Sequence, residues 1–321
     1  MTVRQSVGDR KRVAPGTLDR NHAAAYSLPI MSDASGSETG AVVSLWRYPV
    51  KSMMGEELNT AQVWEHGLVG DRAYALLDSS DGKVATAKNP RKWPRLFAFR
   101  ATLVEAPGGG TKTPSLRIVL PDGTVVTGEQ DDLNRVLSKA LDREVTLAAT
   151  EHGHGAGMQS SVPAAWTGKA EEYWPDIEGL DYRETVTDFA LPTGTFFDCA
   201  TVHLLTTATL DRLRHLYPAG RFEVPRFRPN IVVEAVGNEP TFVENSWIGR
   251  TLAIGDEVRL TITGPCGRCV MTTLAQGDLP RDSGILRTAV QHNRAKVGVY
   301  AAVMRGGTIR RGDRMWLSAV Q

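Results

Sequence analysis

Two of the three cysteines in this chain of 321 residues lie three positions apart, in the segment GPCGRC at 264–269. Thiolate is the form of cysteine that ligates metals or attacks electrophiles, and Arg268 with nearby backbone N–H groups is expected to lower the thiol pKa here. The spacing fits four arrangements: a redox dithiol, half of a zinc site, a single metal-ligating thiolate, or two buried cysteines without chemistry.

Further polar side chains follow strand-like runs or turns in three other places. These are Lys51 with Ser52, Asp71 with Arg72, and Arg228 with Asn230. Lysine as a point charge and serine as a hydrogen-bond donor suit a phosphate group. Pro229 is expected to restrict Arg228 to extended conformations and so to fix the direction of its side chain. Each motif alone also fits an ordinary surface loop.

Histidines offer a second possible metal site. His152 and His154, together with Cys266 and Cys269, would supply the ligand types of tetrahedral zinc. The two halves lie over a hundred residues apart and the histidines stand in a glycine-rich stretch, so a solvated loop is the better interpretation. His203, on an apolar strand, is interpreted as a packed core histidine.

The composition excludes several classes of protein. A formal net charge of +1 argues against a nucleic-acid or membrane-surface partner. Three cysteines do not make a secreted disulfide scaffold, so a reducing cytoplasm is the simpler location. No apolar run reaches the roughly 18 residues of a membrane span. Motifs for nucleotide hydrolysis, esterase chemistry and dinucleotide binding are absent from the sequence.

Many short strands, separated by Gly, Pro and Asp turns, must position these residues. Strands are predicted at 41–50, 58–65, 73–78, 115–120, 124–127, 145–149, 201–206, 251–254, 258–263, 297–304 and 315–317, and a turn that leads into a strand at 227–234. Helices are predicted at 131–142, 207–215 and 286–293. The pattern favours a mainly β (α+β) fold built from barrels or sandwiches over a doubly wound sheet.

Composition also suggests how the chain divides. Residues 1–40 lack periodicity and are predicted to form a disordered leader, with Met31 an alternative start. Residues 41–150 are predicted as a first domain, 151–185 as a connecting loop and 186–321 as a second domain.

Taken together, these segments resemble a known family. LWRYPVKS at 45–52 and GLVGDR at 67–72 resemble the N-terminal β-barrel domain found before MOSC domains, while HLLTTA at 203–208, RFRPNI at 226–231, CGRC at 266–269 and GVYA at 298–301 resemble the MOSC domain itself. Within that family the chain is most similar to the amidoxime-reducing component and its bacterial relatives. The resemblance implies an N-terminal MOSC β-barrel domain and a MOSC β-barrel-like domain with a few short helices.

The resemblance implies a molybdenum–pterin cofactor held between the two domains. Cys269 takes the position of the molybdenum ligand and catalytic thiolate, a donor suited to a soft metal centre, while Cys266 shapes the loop. The positions that resemble pterin- and phosphate-contacting residues are Lys51, Ser52, Arg72, Arg228, Asn230 and Arg268. The resemblance to the family also implies pyridoxal phosphate binding.

The implied activity is an oxidoreductase that reduces N-hydroxylated compounds, such as amidoximes or hydroxylamines, by oxygen-atom transfer to the molybdenum. The substrate would be a small N-hydroxylated molecule. Because the chain ends at Gln321 without a ferredoxin domain, electrons are expected from a separate donor protein. A cytoplasmic monomer is expected, without nucleic-acid or membrane partners. Two alternatives stay open: a sulfur carrier that uses a Cys269 persulfide, and a cofactor-binding module without turnover.

Overall fold

The computed structural model describes residues 37–104, 115–150, 161–163, 165–180, 183–237 and 239–318. The predicted leader lies outside these ranges except for its last four residues, which are not a leader: they begin the first strand because they pair with strands from the far end of the chain.

Eighteen strands and four helices are present in the described residues. The strands are β1 (Ser37–Arg47), β2 (Glu56–Leu58), β3 (Thr60–Trp64), β4 (Gly67–Leu68), β5 (Tyr74–Asp78), β6 (Arg100–Leu103), β7 (Leu116–Val119), β8 (Val125–Thr127), β9 (Val145–Ala149), β10 (Lys169–Trp174), β11 (Thr185–Ala190), β12 (Val202–Thr206), β13 (Ile231–Ala235), β14 (Thr251–Ile254), β15 (Val258–Gly267), β16 (Lys296–Arg305), β17 (Gly307–Arg310) and β18 (Arg314–Leu317). The helices are α1 (Leu133–Leu141), α2 (Thr207–Leu216), α3 (Val224–Phe227) and α4 (Gly284–Asn293). The predicted mainly β fold is confirmed.

Seven strands form a closed sheet in the order β13-β12-β16-β15-β14-β18-β1, and β1 also pairs with β13 to complete the ring. Only the β12–β13 pair among them is parallel. Closure leaves no free edge along these strands. Alternate side chains point inward, and Val42, Leu45, Ile231 and Leu260 are among those buried in its core. The first strand of the chain is therefore an integral part of the sheet built by the C-terminal strands.

A second hydrophobic core lies in the N-terminal part of the chain, between the small sheets of β5 to β9 and α1. The apolar face of α1 carries Leu133, Leu137 and Leu141, four residues apart and all buried. Asp142 ends the helix in a left-handed conformation, with φ at 54°. The hydroxyl of Ser138 accepts a hydrogen bond of 2.9 Å from the N–H of Val145, which ties the helix to β9.

The segment 151–185 is not the loop that the sequence suggested, because β10 lies within it and forms a hairpin with β11. Ala170 and Glu172 are both buried on this strand. The buried charge of Glu172 breaks the apolar alternation that signals a strand, and it is tolerated because Lys88 pairs with it at 3.3 Å. No helix in the described part of the chain has both the length and the apolar character needed to cross a membrane.

Candidate functional site

One cavity of about 470 Å³ gathers every residue that the sequence suggested for the site. Its lining includes Lys51, Ser52, Arg72, Arg228, Asn230, Arg268 and Cys269. Lys51 and Ser52 follow β1, Arg72 precedes β5, Arg228 and Asn230 stand between α3 and β13, and Arg268 and Cys269 follow β15. Four separate parts of the chain therefore meet at this cavity.

The backbone around the cavity is unusually strained. Seven non-glycine residues of the described ranges have φ in the left-handed region. Five of these line the cavity: Ser52, Arg72, Arg228, Arg294 and Ala295. Such conformations cost roughly 1–3 kcal/mol each and persist where the surrounding structure enforces them, which is often at functional sites.

Arg228 is one of these residues, and the expectation that it would be extended is wrong. Its φ is 53° and its ψ is 45°. Pro229 disfavours the right-handed helical region for the residue before it. Arg228 instead ends α3 in the left-handed region, where its N–H donates to the carbonyl of Val224 at 3.2 Å. The direction of its side chain is set by a hydrogen bond to the carbonyl of Met53 and by the ring of Tyr48.

Asp71 is the carboxylate that organises the floor of the cavity. It is 1 % exposed. It accepts hydrogen bonds from the N–H of Tyr48 at 2.8 Å and from Nδ2 of Asn230 at 2.9 Å, and it forms an ion pair with Arg72. Asn230 in turn accepts from the N–H of His203 at 3.1 Å. Two predicted cofactor contacts, Arg72 and Asn230, are thus held by one buried side chain.

The ring of Tyr48 holds the two neighbouring arginines. The guanidinium carbons of Arg72 and Arg228 lie 4.7 and 4.2 Å from its centroid, within cation–π distance. Arg228 also donates to the carbonyl of Met53 at 2.6 Å. Burial, and next the charge of Arg72, lowers the pKa of Arg228 to about 10, so it remains a cation at neutral pH. The hydroxyl of Tyr48 is buried and has no hydrogen-bond partner among the described residues.

Arg268 acts on only one of the two neighbouring thiols: its charge lowers the pKa of Cys266, where burial outweighs it, and it is not among the main influences on Cys269. Its guanidinium donates to the carbonyls of Val297 and Phe227, each at 2.9 Å, and contacts His203. Burial, and next the charge of Arg268, lowers the pKa of His203 well below its ordinary value. His203 is therefore neutral and buried, in agreement with the core interpretation. Gly298 permits this packing, since a Cβ there would lie 2.4 Å from Nε2 of His203.

Cys269 lies at the start of a short 3-10 turn at 270–273 and is half-buried. Burial raises the pKa of its thiol to about 12. The strongest opposing influence is the ammonium of Lys88, not Arg268. The predicted lowering of the thiol pKa is therefore wrong for the protein without a ligand, because desolvation of the thiolate outweighs the nearby cation.

We expect the Cys269 thiol of the cofactor-free protein to react slowly with iodoacetamide at neutral pH. Because its pKa is raised, the thiolate fraction should grow about tenfold per pH unit between about pH 8 and pH 11. Replacing Lys88 with methionine removes a cation that lowers this pKa and should slow the reaction further. Mass spectrometry of the alkylated peptides measures both rates, with exposed Cys199 as internal reference. Rapid alkylation of Cys269 at pH 7 would contradict the expectation.

The cavity carries a large excess of positive charge. Among the described residues, its lining contains two carboxylates, Glu172 and Asp198, and eight cations: Lys51, Arg72, Lys88, Arg226, Arg228, Arg268, Arg294 and Lys296. The whole chain has a net charge of only +1. The concentration of cations at this place is therefore a local feature, of the kind that attracts an anionic ligand.

The sequence did not predict a row of linked charged side chains on one wall of the cavity. Lys51 donates to the carbonyl of Phe196 at 2.8 Å and pairs with Asp198, which also lies 3.5 Å from Lys88. Although burial opposes ionisation of Asp198, Lys51 and Lys88 lower its pKa. No local motif marks Lys88, Glu172 or Asp198, because each pairs with a residue distant in sequence.

The zinc alternative is not tested by the structure, because two of its proposed ligands are not among the described residues. The described residues contain no group of three or more His, Cys, Asp or Glu side chains arranged to hold a metal ion. His152 and His154 lie outside the described residues. Cys266 is buried and Cys199, the third cysteine, is exposed, and both line the same cavity as Cys269. Cys269 is thus the half-buried member of three thiols at one site.

Two family models match the chain. The MOSC domain matches residues 192–316, and the MOSC N-terminal beta barrel domain matches residues 39–157. Neither match concerns pyridoxal phosphate, location or oligomeric state, so pyridoxal phosphate binding, the cytoplasm and a monomer stay predictions.

Curated relatives match at low identity over most of the chain. The rat mitochondrial amidoxime reducing component 2 is 26% identical over 311 residues, which cover 87% of this chain and 83% of the relative. The tomato molybdenum cofactor sulfurase is 25% identical over 304 residues, covering 87% of this chain and 34% of that protein. Among solved structures, the YUAD protein from Bacillus subtilis aligns with a TM-score of 0.43 and 11% identity, over 88% of this chain and 97% of its own.

Proposed function

The chain belongs to the MOSC domain proteins and carries the MOSC N-terminal β-barrel domain, and from this premise we propose that it is a molybdenum cofactor-binding oxidoreductase that reduces N-hydroxylated compounds. The observation that carries the proposal is the cavity itself, in which a single half-buried thiol, Cys269, stands among eight cationic side chains and two carboxylates.

The residues present fit a pterin cofactor with a phosphate group. Arg72 and Arg228 are fixed beside each other on Tyr48, with Asp71 balancing only one of the two charges. A buried, unbalanced arginine is costly unless an anion pairs with it. A thiolate at Cys269 is a donor that suits a soft metal.

Each residue has a defined part in this proposal. When bound, the molybdenum–pterin group supplies the two-electron chemistry that removes the oxygen of an N-hydroxyl group. Cys269 would hold the metal as a thiolate, and the ammonium of Lys88 would stabilise that thiolate. Arg72 and Arg228 bind and orient the anionic part of the cofactor through their fixed guanidinium planes.

The relatives bear on the reaction only through their names, since amidoxime reducing components and a molybdenum cofactor sulfurase are similar to the chain to nearly the same degree. The substrate is proposed to be a small N-hydroxylated molecule, and the electrons to come from a separate donor protein. The similarity to the sulfurase keeps open the alternative of a sulfur carrier, in which Cys269 would carry sulfur as a persulfide.

The test is elemental and pterin analysis of protein purified from a host that makes the cofactor, followed by reduction of benzamidoxime with a chemically reduced viologen dye. We expect near-stoichiometric molybdenum and conversion to benzamidine. Metal-free protein with a labile sulfur on Cys269 would favour the sulfur carrier. Molybdenum without turnover of any N-hydroxylated compound would reduce the protein to a binding module.

A further inference from the structure

Most of the cations that line the cavity have an evident structural partner. Backbone carbonyls hold Arg226, Arg228 and Arg268, and carboxylates hold Lys51, Arg72 and Lys88. Two remain: neither Arg294 nor Lys296 forms an ion pair with a carboxylate of the described residues. These two residues, which we call the basic pair, are two positions apart and line the same cavity.

The basic pair is held beside the segment that carries Cys269. Arg294 and Ala295 adopt left-handed φ values of 52° and 58° at the end of α4. The carbonyl of Ala295 accepts a hydrogen bond of 2.7 Å from the N–H of Arg268. Lys296 pairs with Gly267 where β16 runs antiparallel to β15. The backbone that presents both cations is therefore fixed against the backbone that leads to Cys269.

The surface next to the basic pair is apolar. Leu180 and Leu286 line the cavity and pack in one cluster with Ala295. Asp176 and Glu178, on the same segment as Leu180, are exposed and do not line the cavity. This part of the cavity thus offers an apolar wall and two positive charges that have no carboxylate partner among the described residues, which suits a ligand with an apolar body and an anionic end.

We propose that Arg294 and Lys296 form an oxyanion subsite for the carboxylate of an N-hydroxylated substrate with an apolar body. The substrate's N-hydroxyl group lies at the Cys269 end, its apolar body against Leu180 and Leu286, and its carboxylate on the basic pair. The inference rests on the proposed function and adds to it the class of substrate that the site prefers.

The test compares benzamidoxime with 4-carboxybenzamidoxime in the wild type and in Arg294→Ala, Lys296→Ala and the double variant. Because Arg294 is exposed and Lys296 is half-buried, solvent screens each charge, and the KM for the carboxylated compound should rise several-fold in each single variant. In the double variant it should rise about tenfold or more, while kcat changes little. The KM for the neutral compound should stay within about twofold of the wild type. Arg287→Ala is the matched control, because Arg287 is exposed on α4 but does not line the cavity. Equal effects on both substrates, or none, would overturn the proposal.

Calorimetric binding of 4-amidinobenzoate and of benzamidine gives a readout without turnover. We expect the variants to lose the preference for the carboxylated ligand and to keep their molybdenum and pterin content. Loss of the cofactor from the variants would instead show that the basic pair binds the cofactor phosphate, and would overturn the assignment to substrate. If the wild type reduces neither amidoxime, the proposed function fails, whereas calorimetry still decides whether the carboxylate binds at these two residues.

Discussion

Replacement of Cys269 with serine is expected to remove molybdenum from the purified protein and to abolish reduction of N-hydroxylated compounds. A serine hydroxyl stays protonated at neutral pH and is a hard donor, so it does not replace a thiolate toward a soft metal. Loss of a hydrogen-bond partner of a metal ligand typically costs about 10–100-fold in metal affinity, and loss of the ligand itself should cost more. Metal content by mass spectrometry and turnover with a reduced dye measure the two effects.

Cys199→Ser is the matched control for this substitution. Cys199 lines the same cavity, and its replacement with serine changes the same atom from sulfur to oxygen. Its side chain is exposed, whereas that of Cys269 is half-buried. We expect this variant to keep its molybdenum and its turnover. Full molybdenum loading with normal turnover in Cys269→Ser would refute the role of Cys269. Equal losses in both variants would mean that cavity sulfur in general, and not one ligand, retains the cofactor.

The sequence predicts those elements of the fold whose signals are local. The turn at 121–123 separates β7 from β8 as expected, and the spacing of Leu133 and Leu137 marks the buried face of α1. β10 was not predicted from the sequence, because its strand pattern contains a buried charge, Glu172. Only the folded structure shows that Lys88 balances this charge. The pairing of β1 with both β13 and β18 was also inaccessible, because register between distant strands is set by tertiary packing.

The candidate site likewise has features that the sequence predicts and features that it does not. Its motifs are contiguous in sequence, so the resemblance named seven residues that the structure brings to one cavity, and their roles there stay predictions. Electrostatics was the weaker part of the prediction. Arg268 lies next to Cys269 in sequence, yet it binds backbone carbonyls, and distant Lys88 acts on the thiol instead. Adjacency in a loop does not determine the direction of a long side chain, whereas hydrogen bonds in the folded protein do.

Substitution of Asp71 with alanine is expected to destabilise the cofactor-free protein by about 3 kcal/mol or more. Removing one partner of a buried ion pair leaves an uncompensated charge, with typical costs of about 3–5 kcal/mol. Here the loss exposes three groups at once: the guanidinium of Arg72, the amide of Asn230 and the N–H of Tyr48 each lose their carboxylate acceptor. Because Arg72 is partly exposed, the lower end of the range is expected. Urea denaturation followed by circular dichroism gives the free energy of unfolding.

Asp211→Ala is the control, because Asp211 pairs with Arg214 at 2.7 Å on the exposed face of α2. An exposed pair contributes about 0–1 kcal/mol, so this variant should unfold at nearly the wild-type urea concentration. Asp71→Asn should fall between the two, since the amide keeps an acceptor oxygen but not the charge that balances Arg72. A free energy of unfolding for Asp71→Ala within about 1 kcal/mol of the wild type would mean that water relaxes around Arg72. The arginine would then not be held rigidly enough to preorganise an anion site, and the geometric argument for cofactor binding would lose its strongest support.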